Sequence, residues 1–96
     1  MTRLTYSPRA ILDLERFFEF VAREDPEAAT ASVEAITHGV LVLERHPLMG
    51  RTAEEGSREL IISHGRTGYV ALYDYLAAID TVVILAVRHQ RETGYQ

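Results

Sequence analysis

Ninety-six residues, 47% of them apolar and 25% charged, make one ordinary globular domain spanning 1–96 rather than a disordered chain. A formal net charge of −4 argues against a general nucleic-acid binder, whose affinity rests on neutralising phosphates. The lack of cysteine excludes disulfides and thiolate metal sites, and no apolar run approaches the roughly 18 residues that suggest a membrane span.

The N-terminal MTRLTYSPRA carries no apolar core of a secretory signal, so a cytoplasmic protein away from any membrane is expected. RLTY (3–6) reads as a short strand. Ser7-Pro8 then supplies a helix cap followed by proline at the first helical position. Ile11, Leu14, Phe18 and Val21 recur at helical spacing, widened by Leu12 and Phe17, with Arg9, Asp13, Arg16, Glu19 and Arg23 on the opposite side. REDPEAA (23–29) ends this helix and opens a second, with Asp25 as cap and Pro26 in the first turn. Val33, Ile36, Val40 and Leu43 repeat the spacing. The near absence of a linker predicts an antiparallel helical hairpin. Gly39 within the second helix predicts a close contact there, since glycine costs about 1 kcal/mol against alanine in a helix.

Residues 45–57 lose the apolar period and contain Pro47 and Gly50, which marks a loop. Three strands are expected next, at 57–63, 69–76 and 81–89, separated by HGRTG and AAID turns. In the first, Arg58, Leu60 and Ile62 share a face. In the second, Tyr69, Ala71, Tyr73 and Tyr75 share one. The third is apolar on both faces, which suggests a central strand. The order is β-α-α-β-β-β, an α+β fold with a helical hairpin packed on one face of a small antiparallel sheet. Periodicity does not say where residues 3–6 pair. On this reading the aromatic row and the arginines occupy the sheet face away from the helices, and the Gly94-Tyr95 terminus is mobile.

Charge is unevenly placed. Residues 1–44 hold four Arg and eight Asp/Glu, 4 − 8 = −4, and residues 45–96 hold six of each, together with three of the four histidines. All ten basic residues are arginine. No Gly-rich phosphate loop follows a strand, no histidine pair has metal-ligand spacing on a helix, and no serine sits in a nucleophile context. Neither cofactor nor metal is expected. What remains is a cationic set, Arg51, Arg58, Arg66, Arg88, His89 and Arg91, with Tyr73, Tyr75 and Tyr95. Arginine and histidine serve metal-free phosphodiester cleavage, by stabilising charge and moving a proton. They serve an acidic partner equally well. Arg58 beside Glu59 also reads as a structural ion pair, and Arg88 and Arg91 as a solvated strand end.

Ser7-Pro8 and Ala10 before Asp13-Leu14, Ala28-Ala29 opening the second helix, and Leu43 with HPLMGR form an ordered series. SRELII, Arg66 with Tyr73, and the closing VRHQR complete it. The series resembles the RelE/ParE superfamily of toxins from bacterial type II toxin–antitoxin pairs, over nearly the whole chain. The resemblance implies a cognate antitoxin as partner, with hetero- or homo-oligomeric complexes. It leans to the ParE-like branch, which poisons DNA gyrase, through RELII, VRHQR and the long hairpin. Arg51, Arg58, Arg66, Tyr73, Arg88, His89 and Arg91 are then the implied partner-binding residues. The other branch, RelE-like, cleaves mRNA on the ribosome, and there Arg58, Arg66, His89 and Arg91 would be catalytic. The acidic, lysine-free composition departs from that branch, because ribosome docking favours positive charge. A member that only forms the antitoxin complex is the third alternative.

Overall fold

A computed structural model describes residues 1–96. The chain runs β1 (Arg3–Tyr6), α1 (Pro8–Ala22), α2 (Pro26–Gly39), a 3-10 extension (Val40–Glu44), β2 (Arg51–Thr52), β3 (Arg58–His64), β4 (Thr67–Leu76) and β5 (Thr81–His89). Both helices start as their sequences dictate. The Ser7 hydroxyl accepts from the Ala10 N–H and Pro8 follows it. The Asp25 carboxylate accepts from the N–H groups of Glu27 and Ala28, each at 3.1 Å. These bonds satisfy donors that a helix N-terminus otherwise leaves unpaired.

The sheet order is β1-β5-β4-β3-β2, and the pairs β2–β3, β3–β4 and β4–β5 are antiparallel. The pairing left open by the sequence is parallel: β1 joins β5, with Arg3 opposite Thr81 and Tyr6 opposite Ile84. This makes β5 interior to the sheet, in agreement with its two apolar faces. The hairpin lies across one face, α1 over β5 and α2 over β3. Between them sits a core that includes Phe17, Ile36, Val40, Leu43, Leu60, Ile62, Tyr69, Tyr73, Val82, Ile84 and Val87. Each large side chain buried there contributes about 1.5–3 kcal/mol of transfer free energy. Gly39 is the close contact its position suggested: a Cβ there would stand 2.8 Å from Cγ2 of Ile62.

The register of β4 and β5 contains a bulge. Leu72 opposes Ala86 and Tyr73 opposes Ile84, so Leu85 is an extra residue on β5. An extra residue reverses the inward alternation beyond it, which is why Val82, Ile84 and Val87 all join the core. Here β1 has already ended, and β5 would expose unpaired backbone groups. Two side chains of the α1 region take the place of a neighbouring strand. The Ser7 hydroxyl donates to the Leu85 carbonyl at 2.9 Å, and the Val87 N–H donates to Oδ2 of Asp13 at 2.8 Å.

Three sequence expectations are corrected. The buried side of α1 carries Ala10, Asp13 and Phe17, while Ile11, Leu12, Phe18 and Phe20 are exposed, so Asp13 moves from the solvent face to the interior. Its bond to the bulge is the reason. The aromatic row faces the hairpin: Tyr69 and Tyr73 are core residues, not a display on the outer face. The terminal segment is also tied down. The Tyr95 hydroxyl donates to Glu59 at 2.6 Å, the Arg88 guanidinium lies 5.5 Å from the Tyr95 ring, and Glu92 meets Arg16 at 3.4 Å. The tail therefore crosses the outer sheet face that had been expected to stay open.

Candidate partner-binding groove and its cationic rim

At the end of the sheet where β4 begins and β5 finishes, a groove of about 610 Å³ opens between the hairpin and the strands. Phe17, Phe20, Val21 and Tyr69 form its apolar wall. Arg16, His64, Thr67, His89, Arg91 and Glu92 form its polar rim. The two-residue β3–β4 turn places His64 directly opposite Thr67, with φ positive only at Gly65, as a type II′ turn has. The β4–β5 register sets Tyr69 opposite His89, with the rings edge to face at 5.5 Å.

His89 is the best-held member. Its Nδ1 accepts from the Arg91 N–H at 3.1 Å, and its Nε2 bonds the Thr67 hydroxyl. A backbone N–H can only donate, so the neutral ring carries its proton on Nε2 and donates to Thr67. The His89 N–H donates to Oε1 of Glu92 at 2.9 Å. Burial works to raise the Glu92 pKa, but the His89 N–H, the Gln96 amide and Arg16 outweigh it and bring it below the usual carboxylate value. Arg16 stacks 4.5 Å from the Phe17 centroid, and its Nε is buried without a hydrogen-bond partner.

The remaining cations do not converge on the groove. Arg58 does not pair with Glu59. Its Nη1 donates to the carbonyls of Leu48 and Gly50 at 3.2 and 2.9 Å. Beside it, opposite in register, the Tyr73 hydroxyl donates to the Pro47 carbonyl at 2.8 Å and accepts from the Gly50 N–H at 2.9 Å. Glu59 instead meets Arg51, at 3.1 Å on the outer face. The Tyr95 hydroxyl, first, and then Arg51 hold its carboxyl below the usual range, against the opposing effect of burial. Arg88 turns back on the carbonyls of His89, Gln90 and Glu92. Arg66, in the β3–β4 turn, is exposed, as is Arg91 at the groove, and the guanidinium of neither has a hydrogen-bond partner in the chain. The structure thus unites His89 and Arg91, groups Arg58 with Tyr73 elsewhere, and leaves Arg51, Arg66 and Arg88 apart. The sequence reading missed Arg16, Phe20, His64, Thr67 and Glu92 as groove residues. The short turn between His64 and Thr67 was the available signal. Nowhere do three His, Asp or Glu side chains converge as metal ligands would.

The helical hairpin packed on a largely antiparallel sheet matches the topology of RelE/ParE-type toxins. Residues 4–94 match the family model described as the ParE toxin of type II toxin–antitoxin system, parDE. A curated relative, Toxin RelE3 of Caulobacter vibrioides, is 33% identical over 92 residues, 96% of this chain and 98% of that one. Among solved structures, the chromosomal ParDE toxin–antitoxin system from P. aeruginosa superposes with a TM-score of 0.78 at 25% identity, covering 93% of this chain and 96% of that one. The RelBE2 toxin–antitoxin complex of Mycobacterium tuberculosis gives 0.62 at 26% identity, over 95% and 93% of the two chains. The intact E. coli RelBE complex gives 0.61 at 13% identity, over 96% and 100%, a likeness of fold alone. The chain belongs to the ParE toxin family of type II toxin–antitoxin systems, within the RelE/ParE superfamily. No helix is long and apolar enough to cross a membrane.

Proposed function

We propose that this chain is a cytoplasmic toxin that inhibits DNA gyrase by binding, without catalysis of its own, and that a cognate antitoxin neutralises it. One observation carries the non-catalytic reading: both ring nitrogens of His89 are engaged by the chain's own Thr67 and Arg91. A general base needs a lone pair directed at substrate, and here Nδ1 is closed by a backbone N–H. Arg58, a second candidate, has its Nη1 engaged by two loop carbonyls. The groove suits the antitoxin. Its apolar wall and cationic rim fit an amphipathic segment that orders on binding, with apolar side chains against Phe17, Phe20 and Tyr69 and acids toward Arg16 and Arg91. The solved ParDE and RelBE2 relatives, both from toxin–antitoxin systems, support such a partner.

The second reading, ribosome-dependent mRNA cleavage, is favoured by the unpartnered Arg91 beside His89 and by the relative named Toxin RelE3. The purified chain distinguishes the two. Loss of supercoiling by purified gyrase at micromolar toxin, with ribosome-bound mRNA left intact, is the expected result. Cleaved mRNA with unimpaired gyrase would replace the first reading by the second.

A further inference from the structure

The loop between the 3-10 extension and β2 is held more firmly than its exposure calls for. Tyr73, fully buried, spends its hydroxyl on the Pro47 carbonyl and the Gly50 N–H. Arg58 donates from Nη1 to the carbonyls of Leu48 and Gly50. The Met49 N–H closes a turn onto the His46 carbonyl at 3.1 Å. Gly50 sits so close that a Cβ would stand 2.7 Å from the Tyr73 ring and 2.8 Å from the Glu59 carbonyl. Yet the side chains this scaffold carries, Leu48 and Met49, are 57% and 56% exposed. Burial of the Tyr73 hydroxyl and the Gly50 N–H calls for their bond, but nothing in the fold calls for two apolar side chains facing solvent beside it, where polar residues would serve a mere connection better.

Around these two side chains lies an open depression lined by Arg45, His46, Pro47, Leu48, Met49 and Tyr75. No carboxylate belongs to that lining, and Arg45 forms no ion pair within the chain. The depression is also remote from the groove. Tyr75 stands six residues along β4 from Tyr69, about 20 Å at roughly 3.3 Å per strand residue. An occupant of the groove therefore leaves it free.

We propose that this loop is the toxin's target-contacting surface. It inserts Leu48 and Met49 into an apolar pocket of a protein partner that presents a carboxylate to Arg45. Pre-ordering the loop lowers the entropy lost on docking, and apolar anchors in a desolvated pocket carry most of the affinity at such contacts. The surface suits a protein better than a nucleic acid, because its two most projecting side chains are apolar rather than cationic. The proposal rests on the reading of the chain as a toxin that acts by binding, and it assigns that action to a place separate from the antitoxin's.

The test compares the full-length chain with Leu48→Ser/Met49→Ser and with Arg45→Glu. Three properties are measured: growth arrest on induction without antitoxin, inhibition of purified gyrase, and co-purification with co-expressed antitoxin. The double variant is expected to melt like the parent and to co-purify with antitoxin. At least tenfold more of it should be needed to inhibit gyrase, with growth arrest weakened in parallel; Arg45→Glu should show a smaller loss of the same kind. If the parent spares gyrase but the double variant still loses growth arrest, the loop keeps its role and the gyrase reading is discarded. Full growth arrest by the double variant overturns the proposal. So does loss of activity in Arg45→Glu alone, which would mark a phosphate contact, and so does a parent chain that arrests nothing.

Discussion

Two places in this molecule use buried and half-buried polar side chains to hold backbone groups that no strand can reach, and they use them to different ends. At the β5 bulge, Ser7 and Asp13 reach from the α1 region to Leu85 and Val87, and what they organise is buried or half-buried strand. At the 47–50 loop, Tyr73 and Arg58 reach from the sheet to Pro47, Leu48 and Gly50, and what they organise is displayed. A buried N–H without a partner costs the desolvation of that group, so the first device is an obligation of the fold. The Gly50 N–H is buried too, so its bond to Tyr73 is also needed by the fold, but the loop it anchors carries Leu48 and Met49 side chains that stand exposed. The difference is that the first device serves the fold alone, while the second serves the fold and also fixes exposed side chains.

The sharpest way to break that contrast is Asp13→Ala. It orphans the Val87 N–H and deletes a buried carboxylate bond, at a cost of about 3 kcal/mol. Urea denaturation should show this loss, and a change under 1 kcal/mol would remove the bulge from the list of structural necessities. Gly50→Ala comes next, because its Cβ must displace the Tyr73 ring or the Glu59 carbonyl, an overpacking cost of about 2 kcal/mol. Tyr73→Phe keeps the ring and removes both loop bonds. It should cost about 1–2 kcal/mol, and amide exchange at Leu48–Gly50 should rise far more than in the core strands. Uniform acceleration across the protein would mean that the loop and the fold are one unit.

The tail is the smallest effect. Tyr95→Phe breaks its bond to Glu59 on a half-exposed surface, at a cost of about 0.5–1 kcal/mol. The carboxyl pKa values of Glu59 and Glu92 both lie below the ordinary 4.5 in the folded chain. Their contribution is therefore complete above that pH and is lost as pH falls through the lowered folded values. Burial, first, and the Glu59 bond push the Tyr95 hydroxyl far above its usual 10.0. Its contribution is complete below pH 10 and is lost as pH rises through the folded value. Melting temperature against pH should fall away at both ends in the parent, and Tyr95→Phe should lessen the alkaline fall, leaving the part due to Tyr6 and Tyr75, whose hydroxyls are also raised, by burial and first by the Asp80 bond respectively.

Much of the fold was legible because local chemistry announced it. Ser7-Pro8 and Asp25-Pro26 marked the helix starts, and the apolar pattern of 81–89 marked a central strand. The orientation of α1 was not legible. Its apolar residues run nearly all round the helix, and the choice of buried side was made by Asp13 and a bulge 74 residues away. The same bulge and the Tyr73 bonds decide which way the aromatic row points, and neither leaves a local trace. Of the candidate site, His89 and Arg91 were found by type and position. Phe20 and Thr67 were not, because the groove exists only where the hairpin and the β3–β4 turn come together.

The most direct measurement of the central claim, action by binding rather than by proton transfer, is growth arrest by His89→Gln. Glutamine can donate and accept hydrogen bonds but cannot relay a proton at neutral pH. With melting temperature and antitoxin binding held as controls, the account predicts that arrest persists at the parent's level. Arrest abolished while both controls stay unchanged would contradict it and make His89 a catalytic residue.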